Sequence, residues 1–337
     1  MPAPPPGTPE WDAWIASVDE PVVDPERPIV DPHHHLWERP AWTYGLRELL
    51  SDTGSGHNVT KTVFVECGSA YREDGPEHLR PVGETEYVQA AAAASANSGG
   101  ARIAGIVSHA DLTLGAAVSE VLDAHEEAGK GLFRGIRHAG AHAEHPEILA
   151  IPGRAPAGLY GDERFREGVR LLGERGLTYE TWHYHYQNRE FLNLARAVPG
   201  TTIILDHFGT PLGVGPYETQ KDEIFAAWKE DIAEIAREPN VHAKLGGLAM
   251  PDIGNGWHLR DRPANSDEFG AAVSPYYLHT IECFGPERCM LESNFPVDKL
   301  SIGYRAIWNG MKKIIAPFSE AEKDAMCSLT AERVYRI

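Results

Sequence analysis

Short hydrophobic runs rich in β-branched residues alternate with longer amphipathic stretches along most of the chain. The runs predict strands at residues 28–35, 61–66, 102–108, 132–138, 177–185, 201–207, 240–245 and 288–294. Helical periodicity lies between most of them, at residues 84–96, 114–128, 162–174, 189–197, 221–237 and 275–284. Strands separated by helices are typical of parallel pairing through crossover connections. The pattern predicts an α/β fold, a distorted (β/α)8 TIM barrel with an N-terminal extension.

The two ends of this pattern define the predicted domains. Residues 1–27 are rich in proline and acidic residues, and we expect an extended arm whose Trp11 and Trp14 pack on the domain or on a partner subunit. Residues 28–337 form the predicted barrel domain. An open, doubly wound sheet is the rival architecture, but it calls for a glycine-rich phosphate loop after the first strand. Here three histidines stand at that place.

Composition and charge exclude several classes of protein. The 337 residues are 42% hydrophobic and 24% charged, which suits a folded domain with a sizeable core. The 49 acidic and 31 basic residues give a net charge of −18 without a basic patch, so we expect no binding to nucleic acid or to anionic membranes. No apolar run approaches the ~20 residues of a spanning helix. The four cysteines lack CxxC spacing, and the proline-rich start lacks a basic cluster, which together predict a reduced, cytoplasmic protein.

Histidines at predicted strand ends carry the strongest chemical signal. Side chains alternate along a strand, so His33 and His35 should project to one face and His34 to the other. Two imidazoles on one face can chelate a divalent ion. Further histidines close later strands, namely His138, His183, His185 and His207. Each of them alone would be a core or rim histidine, but on a closed barrel the set would converge on one site.

At this point the sequence resembles the amidohydrolase superfamily, in its branch of predicted metal-dependent hydrolases and lactonases with a barrel fold. The resemblance runs from about residue 28 to the C-terminus and rests on DPHHHLW, FRGIRH, WHYHYQ, TIILDHFGTPLG, VHAKLGGL and RCMLESNFPVDK. It implies that His33 and His35 are metal ligands of the first strand and that His185 is the ligand of the fifth. It also implies that His207 lies near the reacting carbonyl group.

One block departs from the family pattern. The family's eighth strand usually ends in Gly-Ser-Asp-Trp-Pro, whose aspartate is a metal ligand and general base, whereas this chain has Glu292-Ser-Asn294-Phe-Pro. An amide does not accept a proton near neutral pH. The fourth strand also lacks a lysine that could bridge two metals. The resemblance then implies one divalent ion, zinc, on His33, His35 and His185, with a metal-free pocket as the alternative.

The catalytic groups are then predicted from what remains. His207 is the best substitute base, and Asn294 occupies a catalytic position. Arg137, at the end of the fourth strand, could clamp a substrate carboxylate or bond a neighbouring loop. Trp257, in the long loop 246–269, would cover the pocket or lie exposed in the loop. A buried ion pair is expected between Glu292 and Lys244.

These residues predict a hydrolase of a small carboxylated lactone or related cyclic ester, in which water attacks the carbonyl group. The choice of a lactone rests on the resemblance. One alternative is a zinc-dependent, non-oxidative decarboxylase of an aromatic or dienoic acid. Another is a barrel that has lost catalysis and acts as a binding protein. The expected partner is a small anionic substrate, and a homodimer is a further expectation.

Overall fold

Eight parallel strands form the centre of the protein. The computed structural model describes residues 2–337, and its strands are β1 (Ile29–His34), β2 (Val59–Val65), β3 (Arg102–Ser108), β4 (Phe133–Arg137), β5 (Thr178–Thr181), β6 (Ile203–Leu205), β7 (Val241–Leu245) and β8 (Cys289–Leu291). They pair in chain order. β1 and the segment after β8 meet at a bridge between His34 and Phe295, and the His35 amide donates to the Phe295 carbonyl over 2.8 Å. The predicted TIM barrel is confirmed as a nearly closed barrel.

Helices surround the strands. They are α1 (Pro9–Ala16), α2 (Leu46–Thr53), α3 (Val82–Ser95), α4 (Ser119–Gly129), α5 (Glu163–Glu174), α6 (Asn188–Ala197), α7 (Lys221–Ile235), α8 (Ser266–Phe284), α9 (Tyr304–Ile314), α10 (Glu320–Asp324) and α11 (Thr330–Tyr335). Their apolar faces and the outward side of the strands form the larger core. Within residues 2–337, no helix combines the length and the apolar character needed to cross a membrane.

A second, smaller core fills the inside of the barrel. It is made of inward-facing residues from five strands together with two residues of α11: Val30, Val63, Val65, Val107, Ile204, Met290, Ala331 and Tyr335. These strand side chains alternate with outward-facing ones, as the pleat of a strand requires. Helix α11 therefore closes the end of the barrel opposite to the strands' carboxyl ends. The polar residues of the site lie above this apolar floor.

Several predicted elements have other bounds in the structure, among them the fifth strand and the predicted helix 275–284. The fifth strand was expected to reach residue 185 but ends at Thr181, after which the chain leaves the sheet and forms a short helical turn at His185–Gln187. The predicted helix 275–284 is the second half of α8. This helix begins where the Asn265 and Glu268 side chains form a capping box, and it continues through Pro275.

The N-terminal arm is not extended throughout, since it contains α1. The Thr8 side chain accepts a hydrogen bond from the Trp11 amide at the start of this helix. Trp11 lies 5.4 Å from the ring of Trp42, which belongs to a hairpin after β1, and Trp14 donates from Nε1 to the Arg260 carbonyl over 3.1 Å. The arm thus packs on its own barrel. The homodimer stays a prediction.

Candidate active site

A cavity of about 950 Å³ opens where the carboxyl ends of the first four strands meet. This is the end of a TIM barrel at which catalytic residues are found. Its walls combine aromatic side chains with basic ones, including Trp37, Trp42, Trp182, Arg39, Arg137, Arg154, His35, His109 and His138. Glu66 is the one carboxylate among the lining residues of the described chain. The lining therefore suits a small ligand that carries negative charge.

The three histidines at the end of β1 point alternately to its two faces as expected, and His35 directly follows the last residue of the strand. His33 is fully buried, and its ring lies 5.0 Å from that of His35. His34 faces the other way, with Thr62 Oγ1 3.0 Å from its Nε2 and its ring against Phe64. His35 donates from Nδ1 to the Val65 carbonyl over 2.7 Å and reaches the cavity with the rest of its ring.

Below the cavity, two histidines and an aspartate converge from two strands. Potential ligand atoms of His33, Asp206 and His207 lie within 4.8 Å of one another, and all three residues are buried. Both carboxylate oxygens of Asp206 lack a hydrogen-bond partner in residues 2–337. Two imidazoles and a carboxylate form a donor set that suits zinc and similar ions. These residues therefore fit a single divalent cation. Sequence reasoning missed Asp206, although it directly precedes His207 at a strand end.

The backbone at the end of β6 is strained. His207, Phe208 and Thr210 have φ of 52°, 59° and 40°, in the left-handed region that non-glycine residues seldom adopt. Each such residue costs on the order of 1–3 kcal/mol and persists where surrounding contacts hold it. One such contact is the bond from Trp228 Nε1 to the Phe208 carbonyl, which spans 2.7 Å. Strain of this kind is common at functional sites.

Glu292 and Lys244 do not form the expected pair. Lys244 is fully buried, and its Nζ lies 2.6 Å from Glu180 and 3.6 Å from Asp206. Glu292 instead faces the two imidazoles, with Oε1 2.6 Å from His207 Nδ1 and Oε2 2.7 Å from His33 Nδ1. The prediction paired the two residues because they share an interior layer. It overlooked Glu180, which offers the ammonium group a closer partner.

Burial controls the charge states in this cluster. It lowers the pKa of His207 to about 3 and holds that of His33 well below its ordinary value, where the ammonium group of Lys244 acts in the same direction. Burial also raises the pKa of Asp206 to about 7, against the opposing effect of Lys244. The two imidazoles are therefore neutral near pH 7. Neutral imidazole is the form that binds a metal or accepts a proton.

Arg137 connects the cavity to the buried cluster. Its Nε donates to Glu66 Oε1 over 2.8 Å, and its Nη1 lies 3.6 Å from Asp206 and 3.3 Å from His33 Nε2. The guanidinium charge is thus balanced within the protein. It also approaches His33 and Asp206, two of the three residues that could hold a metal ion.

Three other residues predicted for the site, His185, Trp257 and Asn294, make contacts outside the cluster of His33, Asp206 and His207. Because β5 ends at Thr181, His185 falls beyond the strand, where its Nδ1 accepts from the Leu212 amide over 3.2 Å. Trp257 is 3% exposed, is absent from the cavity lining and packs against Phe269. Asn294 donates from Nδ2 to Asp298 over 2.8 Å. The structure does not bring His185 or Trp257 to the cluster.

The sequence matches a known protein family over nearly its whole length. The model of the amidohydrolase family matches residues 30–337. An uncharacterized protein of Sinorhizobium fredii is 31% identical, covering 92% of this chain and 98% of the relative. The L-fucono-1,5-lactonase of Burkholderia multivorans is 24% identical, covering 91% of this chain and 96% of the enzyme.

A solved structure shares the fold. It is an amidohydrolase from Burkholderia multivorans with bound zinc, with a TM-score of 0.72 at 22% identity, covering 92% of this chain and 99% of that one. The barrel, the histidines at its strand ends and the match over nearly the whole chain agree with one another. This chain belongs to the amidohydrolase family.

Proposed function

We propose that this protein hydrolyses a small lactone or related cyclic ester that carries an anionic group. The observation that carries the proposal is the convergence of His33, Asp206 and His207 beneath a cavity in a member of the amidohydrolase family. In such a site His207 is positioned to assist the attack of water on the ring carbonyl. The lactonase names of distant relatives favour a lactone over other hydrolysable rings.

The anionic character of the substrate rests on the cavity wall. Arg137 was predicted as the carboxylate clamp, and it is already paired with Glu66. Arg39 and Arg154 line the same cavity and make no ion pair in residues 2–337. We infer that these two arginines supply attraction for a substrate carboxylate and that Arg137 contributes mainly to the inner end of the pocket.

A metal ion fits this proposal. We infer that a single zinc ion would be held by His33, Asp206 and His207, rather than by the predicted set with His35 and His185. When bound, such an ion supplies Lewis acidity. His35 would then contribute its ring to the cavity wall, and His207 would act as a ligand of the ion and not as a free base.

The test measures proton release at pH 7.5 from a panel of sugar lactones and carboxylated lactones. Aromatic and dienoic acids are assayed in parallel for release of CO2. We expect proton release on at least one carboxylated lactone. The double variant His33→Ala/His35→Ala and the single variant His207→Ala should each lose about 10²-fold or more in kcat/KM. His279→Ala is the matched control, since this histidine bonds only the Lys229 carbonyl and Cys283 on the surface. CO2 release without lactone turnover would favour the decarboxylase, and inactivity towards both classes would favour a binding protein.

A further inference from the structure

One continuous stretch of chain forms a wall of the cavity. Residues 150–156 all line it, and they belong to no helix or strand. The stretch lies between β4 and α5 and includes Arg154, one of the two cavity arginines without an ion pair in residues 2–337. A segment without secondary structure needs other partners for its backbone amides. The position of this wall therefore depends on the residues that bind those amides.

Asp252 binds two of those amides from the loop after β7. Its Oδ1 accepts from the Ala150 amide over 2.7 Å, and its Oδ2 accepts from the Ile151 amide over 3.1 Å. The residue is only 4% exposed, and a carboxylate is costly to bury without hydrogen-bond partners. Within residues 2–337, both side-chain hydrogen bonds of Asp252 go to this wall. The burial of Asp252 is thus tied to the position of the wall.

Tyr184 holds the same wall from the loop after β5. Its hydroxyl group accepts from the Gly153 amide over 2.7 Å and donates to the Ile151 carbonyl over 3.3 Å. The tyrosine is fully buried. Neither Tyr184 nor Asp252 itself lines the cavity. These two side chains can therefore affect a ligand in the cavity only through the segment that they hold.

We propose that Asp252 is a positioning residue for ligand affinity: by holding residues 150–156, it fixes the cavity wall that presents Arg154 to an anionic group. The role of Arg154 rests on the proposed function, whereas the hold on the segment follows from the contacts within the protein. A guanidinium group on a backbone held in place binds a carboxylate more tightly than one on a mobile segment, because less freedom is lost on binding. Loss of the hold should therefore weaken binding of anions.

Asp252→Asn tests the hold with little change of shape. The asparagine keeps one acceptor oxygen but turns a donor NH2 group towards the second backbone amide, so that two donors face each other. Loss of one hydrogen bond to a charged acceptor should favour local opening of the segment by about tenfold or more. Hydrogen exchange, measured by mass spectrometry, should therefore become faster by that factor in peptides that contain residues 150–156. The barrel strands should exchange as in the wild type.

Binding is measured with succinate, a small dicarboxylate, as the probe. The Kd for the protein as purified, obtained by calorimetry, should rise about five- to tenfold in Asp252→Asn and in Arg154→Gln. The double variant should bind no more weakly than Arg154→Gln, because Asp252 acts through that arginine, whereas a purely structural role would make the two effects add. Asp162→Asn is the matched control, since Asp162 also accepts from a backbone amide, at the start of α5. It should leave the exchange of the segment and the Kd unchanged.

Three results would overturn the proposal: unchanged exchange of residues 150–156 in Asp252→Asn, additive effects of Asp252→Asn and Arg154→Gln on the Kd, or a wild type that does not bind succinate. If Asp252→Asn did not fold, Tyr184→Phe would replace it, since it keeps the buried ring and removes both hydrogen bonds of the hydroxyl group. Neither measurement uses a lactone, so failure of the lactone proposal and failure of this one are distinguishable.

Discussion

Removal of the Lys244 ammonium group should destabilise the protein strongly and in a way that depends on Glu180. Lys244 Nζ lies 2.6 Å from Glu180 and 3.6 Å from Asp206, and all three side chains are fully buried. Lys244→Met keeps most of the side-chain volume but leaves Glu180 without a cation, whereas Asp206 keeps Arg137 Nη1 at 3.6 Å. Breaking a buried pair from one side costs about 3–5 kcal/mol. We expect the free energy of unfolding to fall by that amount.

The double variant Lys244→Met/Glu180→Gln should recover part of the loss, because it removes both charges and the glutamine oxygen can still accept from Tyr335. Urea unfolding at pH 7.5 of the wild type, both single variants and the double variant gives the coupling free energy, which we expect at about 2–3 kcal/mol. Comparable m-values would show that the unfolding transition is the same. A cost below about 1 kcal/mol for Lys244→Met, or additive single effects, would refute the reasoning.

Three further predictions concern pH, metal and the arm. Burial lowers the pKa of His125 from 6.5 to about 4, so the unfolded chain binds the proton first and the free energy of unfolding falls as the pH drops below 6.5. Between pH 7.5 and 5.0, the free energy of unfolding of His125→Gln should fall by about 2 kcal/mol less than that of the wild type. Urea unfolding at the two pH values measures this, and equal decreases would contradict it. Arg137→Met removes a cation that approaches His33 and Asp206, so the variant should retain more zinc after dialysis than wild type, measured by elemental analysis; equal retention would show that the guanidinium does not compete. Trp11→Ala should lower the free energy of unfolding by about 3 kcal/mol and raise KM, since Trp11 supports Trp42 in the cavity wall; an unchanged KM would separate the arm from the cavity.

The barrel could be predicted because its pattern is local and repeated. The predicted strand 102–108 has the same bounds as β3, and the alternation that separates His33 and His35 from His34 needs no more than the pleat of one strand. Helix α1 was missed even though Thr8 and Pro9 are good starting residues for a helix, because the proline-rich context favoured an extended chain.

The site was harder to predict because it depends on where strands leave the sheet. Alternation along residues 177–185 continued past Thr181, and it therefore assigned His185 to the interior although the chain had already turned away. The partners of Lys244 and Glu292 depend on which strands are neighbours across the barrel, and spacing along one strand does not contain that information. Asp206 was accessible from the sequence, since it adjoins His207 after a buried run.

Tyr335 has a consequence for how the protein is made. Its hydroxyl group donates to Glu180 from α11, the helix that closes the floor of the barrel. Tyr335 thus completes a buried network that also contains Lys244 and Asp206. During synthesis on the ribosome, nearly all of the barrel emerges before Tyr335 does. Until then, Glu180 in the barrel interior lacks the hydrogen bond from the Tyr335 hydroxyl. Nascent chains stalled before α11 should therefore be hydrated inside the barrel and sensitive to proteases, and they should become resistant once that helix is released.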